Sequence, residues 1–285
     1  MRAQASCFGA GTIVNAIAIG RGAAFGLDLR ATATAETKPE GPGVQVHVPD
    51  GLDPALVRSC AERVLRQSPQ EGGIEVTVTS EIPVSRGLKS SSAVANAVVL
   101  ACAHALGAQL EPFQIIGIGV DAALDAGVTI TGAFDDACAS FFGGIVATDN
   151  RARKLLVADR FPSGLVAVVE VPDRTITKSS LKGTDFVPIR PQVEEAFRLA
   201  LRGDYFRALE VNSAAYAPLL GVDESPAIRA RAAGAKAAGV TGTGPSIIAL
   251  ATPPHVEAVR RAMDDGSSEV RVVNLNTVES RGVIA

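Results

Sequence analysis

Between Ser90 and Leu110 the chain carries no residue charged at neutral pH, and many of its apolar residues are alanine. Such a segment has to be enclosed on all sides, either by lipid or by the rest of the protein. Alanine transfers weakly into lipid, and the segment also holds three serines, Asn96, His104 and Gln109, so a tightly packed internal helix is the better reading. The remaining chain must then build a shell around a helix. A chain of 285 residues that is 47% hydrophobic can do so, as one large or two modest domains at roughly 150 residues each. A second uncharged stretch, Ala3 to Gly20, follows a lone Arg2. Ser6, Gly9, Gly11, Thr12 and Asn15 interrupt it and no clean cleavage site follows, so it reads as part of the fold and not as a secretion signal.

The surrounding pattern mixes strands and helices. Thr-Ile-Val (12–14) and Ala-Ile-Ala-Ile (16–19) suggest early strands joined by tight turns. Val44 to Val48 and Ile74 to Thr79 alternate in the manner of half-buried strands. Pro54 to Gln67 reads as a helix capped by Asp53, with Pro54 at its first position. Further helices are expected at Phe113 to Ala126, Asp135 to Phe142, Val193 to Leu201, Tyr205 to Ala215 and Pro254 to Met263. Further strands are expected at Leu165 to Val171, Ser246 to Ala251 and Val270 to Leu275. Without a steady strand–helix–strand rhythm, the class is α+β. The polar, turn-like Thr148-Asp149-Asn150-Arg151 suggests a boundary between residues 1–152 and 153–285.

Composition narrows the function. The 27 basic and 30 acidic residues nearly balance, and aromatics are only 4%, so nucleic acid and anionic membranes are not expected partners. Cys7, Cys60, Cys102 and Cys138 form no C-x-x-C pair and read as reduced thiols of a cytoplasmic protein. His47, His104 and His255 are too scattered to ligate a metal together.

Three segments carry chemistry. The first, Ile82 to Ser92, leads from a strand into the uncharged helix. A helix N-terminus offers unpaired N–H groups and partial positive charge to a phosphate; Gly87 permits close approach, Lys89 adds charge, and Ser90, Ser91 and Ser92 add hydroxyls. The Walker pattern is absent, and a plain serine N-cap is the bland alternative. The second, Gly239 to Ser246, is a glycine–threonine turn into a buried strand. In the third, Asp135 and Asp136 open an apolar helix, where one caps it or accepts a proton. Upstream, Asp121 and Asp125 share a helix face, either solvated or, for Asp125, reaching a metal.

Together these motifs resemble the GHMP kinases. Pro83-Val84-Ser85-Arg86-Gly87-Leu88-Lys89-Ser90-Ser91-Ser92-Ala93 is similar to their phosphate loop, Thr241-Gly242-Thr243-Gly244-Pro245-Ser246 to their C-terminal glycine motif, and Thr131 to Asp136 to the segment bearing a catalytic aspartate. Lys89, the run Val128 to Ala137, and Gly9 to Ala16 with Gly26 to Leu29 are most similar to the archaeal-type shikimate kinases. The resemblance implies an N-terminal part like domain 2 of ribosomal protein S5 and a ferredoxin-like C-terminal part. It implies ATP-dependent phosphorylation of the 3-hydroxyl of shikimate, a small-molecule partner, with Mg²⁺ as cofactor, and it is compatible with a homodimer. Pro83 to Ala93 would bind ATP, and Thr241, Gly242, Thr243 and Gly244, with Asp136, would close the pocket. Ser91 and Asp125 would hold the metal. G-x-x-D spacing favours Asp135 as base, with Asp136 capping or orienting. Lys89 and Arg21 would be catalytic cations, and Arg21 or Arg86 would hold the substrate carboxylate. Rival expectations are another small alcohol, such as homoserine or mevalonate, and a binding protein without catalysis.

Overall fold

A computed structural model of the chain describes residues 1–41, 43–69, 72–176, 178–181 and 183–284. Its spine is an antiparallel pair of long strands, β1 (Arg2–Val14) and β2 (Arg21–Lys38), in register from Arg2↔Glu36 to Val14↔Ala23, with irregularities after Phe8 and after Thr12. β3 (Val44–His47) runs parallel to β4 (Gly73–Ser80), and β4 is antiparallel to β2. The other end of β2 pairs with β5 (Ile145–Asp149), which turns back into β6 (Lys154–Asp159). β11 (Arg281–Ile284) adds to the free edge of β1 and completes a seven-stranded sheet.

Four helices cover this sheet: α1 (Pro54–Leu65), α2 (Ser90–Ala105), α3 (Pro112–Asp125) and α4 (Phe134–Phe142). Asp53 caps α1 as expected, accepting from the Ala55 N–H at 2.8 Å. The alanine-rich α2 lies between β1 and β2 on one side and α1, α3 and α4 on the other. Its small side chains let these neighbours approach on nearly every face, which is why it can be buried almost throughout without a polar stripe. No described helix is long and apolar enough to cross a membrane.

After β6 the chain builds a second antiparallel sheet from β7 (Val166–Val171), β8 (Ala237–Val240), β9 (Ile247–Ala251) and β10 (Glu269–Asn274), in the order β10-β7-β9-β8. It carries α6 (Tyr205–Leu220), α7 (Ser225–Ala232) and α8 (Val256–Met263), while α5 (Arg190–Leu201) packs on α6 and on β1 and β2 of the first sheet. The α+β class holds. The expected break at residues 152 and 153 falls in the turn of the β5–β6 hairpin, within the first sheet. All four cysteines are free and buried.

One expected strand is a loop. Ala16 to Ile19 forms the turns between β1 and β2, and its apolar side chains are covered from a distance. Asn212 on α6 accepts from the Asn15 N–H at 2.9 Å; the Tyr216 hydroxyl donates to the Asn15 carbonyl at 3.0 Å and accepts from the Ala18 N–H at 2.9 Å; Arg190 donates to the Ala18 carbonyl at 3.1 Å. The backbone groups of this loop are satisfied partly within it, by the Asn15 side chain and the Ala16 carbonyl, and otherwise by the second half of the chain, not by a ladder. Tyr216→Phe should therefore cost about 1–3 kcal/mol in urea denaturation, because it strands two buried backbone groups; a change under about 0.5 kcal/mol would show that the loop relaxes to find other partners.

Candidate active site

The segment between β4 and α2 has the conformation that a phosphate loop needs. Lys89 precedes the helix in the left-handed region, at φ +66°, and no side chain caps α2. The first turn also has no acidic residue, so its N–H groups and the positive end of its dipole are unanswered from within the helix. The bland serine-cap alternative is excluded. Beside this helix end lies a cavity of about 290 Å³. Val84, Ser85, Gly87, Leu88, Lys89, Ser90, Ser91 and Ser92 line it, with Leu52, Leu56, Val120 and Ala123 forming its apolar wall. Pro83, Arg86 and Ala93, expected in the same loop, are not among the lining residues.

The glycine–threonine turn packs directly on this loop. The Thr241 hydroxyl donates to the Gly87 carbonyl at 3.0 Å, and a β-carbon on Gly87 would lie 2.1 Å from the Thr241 carbonyl oxygen. Only glycine allows the two backbones to cross there. Thr12 and Thr241 exchange bonds with each other's strands, the Thr12 N–H to Thr241 at 3.1 Å and the Gly242 N–H to the Thr12 hydroxyl at 2.8 Å. Gly242 and Thr243 reach the cavity wall.

α4 supplies the acidic side. Its N-cap, Ala133, is also left-handed at φ +49°, and neither aspartate caps it; Asp135 and Asp136 stand in the first turn. Asp136 meets Lys89 at 3.0 Å with both side chains largely buried, 13% and 8% exposed. Asp136 Oδ1 has no hydrogen bond despite that distance, so the contact is coulombic and poorly aimed. Asp135, 4% exposed, turns toward β2 and β5. Asn150 Nδ2 donates to Asp135 Oδ1 at 2.7 Å, and the Asp135 N–H donates to Asn150 Oδ1 at 3.2 Å. Its other oxygen faces Gly22, where a β-carbon would lie 2.2 Å away. Burial, and then the neighbouring Asp136 charge, push the Asp135 carboxyl up to about 7, against the opposing pull of Lys89 and Asn150. Asp135, Asp136 and Lys89 line a second, smaller recess with Asn15, Ala16, Ile17 and residues 129–131. Lys89 and Asp136 belong to both spaces, so the cavity and the recess meet at this ion pair.

Two expected site residues are elsewhere. Arg21 is one position from Gly22, and adjacent side chains of a strand point to opposite faces. It stacks on Phe197, 5.2 Å from the ring centre, and pairs with Glu194 at 3.6 Å, turned away from Asp135. Asp125 does share a face with Asp121, but that face is the outer one. Asp125 pairs with Arg63, and Asp121 pairs with Arg153 and Arg63. Neither aspartate lines the cavity, and Asp125, paired with Arg63, is not placed to hold a metal there. Gly22, Asn15, Thr148 and Asn150 were not foreseen as site residues. Asn150 lay in the polar run read as a domain boundary.

Residues 55–144 match the family model for the GHMP kinases N terminal domain, and residues 227–267 match that for the GHMP kinases C terminal region. A shikimate kinase of Methanosarcina mazei is 42% identical over 288 residues, spanning all of this chain and 97% of that protein. The shikimate kinase of Pyrococcus furiosus is 43% identical over 257 residues, 89% of this chain and 93% of its own length. Among solved structures, a homoserine kinase from Cytophaga hutchinsonii superposes with a TM-score of 0.81 at 19% identity, covering 99% of this chain and 97% of that one. The Methanococcus jannaschii mevalonate kinase superposes at 0.76 with 14% identity, covering 96% and 98%. At those identities the likeness is one of fold.

A carboxyl with a raised pKa makes the folded state less stable as pH climbs through that value, because ionising it is harder in the fold than in the unfolded chain. Asp135→Asn should therefore raise Tm at pH 8.5 by on the order of 3 °C, with the gain shrinking toward pH 5. A gain independent of pH in thermal melts would mean that Asp135 does not titrate in this range.

Proposed function

The chain belongs to the GHMP kinase family, and from that premise we infer that it transfers the terminal phosphoryl group of ATP to the 3-hydroxyl of shikimate. The observation that carries the chemistry is the junction at Lys89 and Asp136, with an open helix N-terminus on one side and a buried carboxyl poised near neutrality on the other.

In this reading the triphosphate lies against the N–H groups of Ser90, Ser91 and Ser92, with the Lys89 ammonium close to the transferring group. The apolar wall of Leu52, Leu56 and Val120 suits the nucleobase end. Magnesium entering with the nucleotide would neutralise phosphate charge, and the Ser91 hydroxyl on the cavity wall would be its protein ligand. The acceptor presents its hydroxyl at the recess beside Asn15, Ala16 and Ile17, whose volume of about 20 Å³ admits a hydroxyl and not a ring. Asp135 takes the hydroxyl proton as that oxygen bonds to the γ-phosphorus and the bond to the ADP oxygen breaks. Asp136 holds Lys89 between the two substrates.

Purified protein with ATP and Mg²⁺ should release ADP when offered shikimate and not when offered homoserine or mevalonate. Asp135→Asn should lower kcat by roughly 100-fold or more while ATP affinity stays within about twofold. Turnover on another alcohol would move the substrate assignment, and full turnover in Asp135→Asn would remove the base. Gly22→Ala forces a methyl group against Asp135 Oδ2 and should cost about 100-fold in kcat with nucleotide binding intact; near-normal rates would show that the carboxylate has room to move.

A further inference from the structure

The β5–β6 turn places a polar pair directly behind the base. Thr148 is fully buried at the end of β5, and Asn150 follows it, 4% exposed. The Thr148 hydroxyl donates to Asn150 Oδ1 at 2.7 Å, and the Asp135 N–H donates to the same oxygen at 3.2 Å. Two donors converging on one atom identify it as the amide carbonyl oxygen, so the amide cannot flip. The NH₂ group must face the carboxylate, and it does, at 2.7 Å from Asp135 Oδ1.

We propose that Asn150, locked by Thr148, is the positioning residue of the reaction: it confines Asp135 Oδ1 to accepting a hydrogen bond and so assigns proton transfer to Oδ2. The proposal rests on Asp135 acting as the base. A carboxyl that carries its proton on Oδ1 would point that proton at the Asn150 NH₂, donor against donor, so both protonation states keep Oδ1 bare. Oδ2 is the oxygen set against Gly22, beside Ala16 of the recess wall. The charged or titratable groups around Asp135 are Asp136 and Cys138 on α4, Lys89 on the phosphate loop and Tyr216 on α6. Beside these, Asn150 adds an uncharged contact whose orientation is fixed from behind by Thr148.

The test is the pH profile of kcat/KM for shikimate in wild type, Asn150→Ala, Thr148→Val and Asp135→Asn, with ATP affinity measured separately by calorimetry. Wild type should lose activity below about pH 7. Losing a donor to the ionised carboxylate should move this acid limb up by about one pH unit in Asn150→Ala. It should also lower kcat at pH 6.5 by about tenfold or more, with ATP affinity unchanged. Thr148→Val, nearly isosteric, should shift the limb the same way by less, and it carries the test if Asn150→Ala fails to fold. An unmoved limb in both variants, with Asp135→Asn inactive, overturns the positioning role and leaves the base standing. Full activity in Asp135→Asn, or a wild-type profile flat from pH 6 to 8, overturns the base itself.

Discussion

The ion pair between Lys89 and Asp136 is the constraint around which the site is arranged. It ties the first residue before α2 to the first turn of α4, so that two helix N-termini face one point. Bringing both charges out of water is costly, and the contact gains no well-aimed hydrogen bond in return. Each helix also begins after a non-glycine residue held in the left-handed region. These expenses make sense together. A capping side chain at α2 would occupy the N–H groups at the edge of the cavity, and the left-handed turn at Lys89 is the conformation in which its ammonium meets Asp136. α4, in contrast, fills its own N-terminus with two carboxylates, and its dipole helps Asp135 remain ionisable despite burial.

Most of the secondary structure was legible because it follows from local pattern. Asp53-Pro54 starts α1, alternation marks β4, and the uncharged run from Ser90 had nowhere to go except the interior. The phosphate loop and the paired aspartates were legible as residue types at a helix start. What could not be read was direction. Arg21 and Gly22 differ by one step along β2, and only the register of the sheet decides which of them faces Asp135. Asp125 announced a shared face with Asp121, but not that Arg63 and Arg153 wait on it.

Two further misreadings have a common cause. Ala16 to Ile19 reads as a strand because it is apolar, and Thr148 to Arg151 reads as a turn-like boundary because it is polar. In both segments the partners come from another element: Asn212, Tyr216 and Arg190 satisfy the first from 172 to 198 positions away, and the α4 aspartate, 15 positions before Asn150, engages the second. Local composition predicts burial only when local neighbours decide it. At a site assembled from several elements, polar residues are buried because they complete one another.

The same assembly governs when the site comes into being. Thr12 and the Thr241–Gly242 turn exchange hydrogen bonds across 229 and 230 positions of chain, and that exchange holds the glycine turn on the phosphate loop. Contacts of such sequence separation form late, after the loops between them have closed. A nascent chain can fold its α2 helix and most of its first sheet while still lacking one wall of the pocket. The pocket is therefore complete only once both halves of the chain are folded against each other.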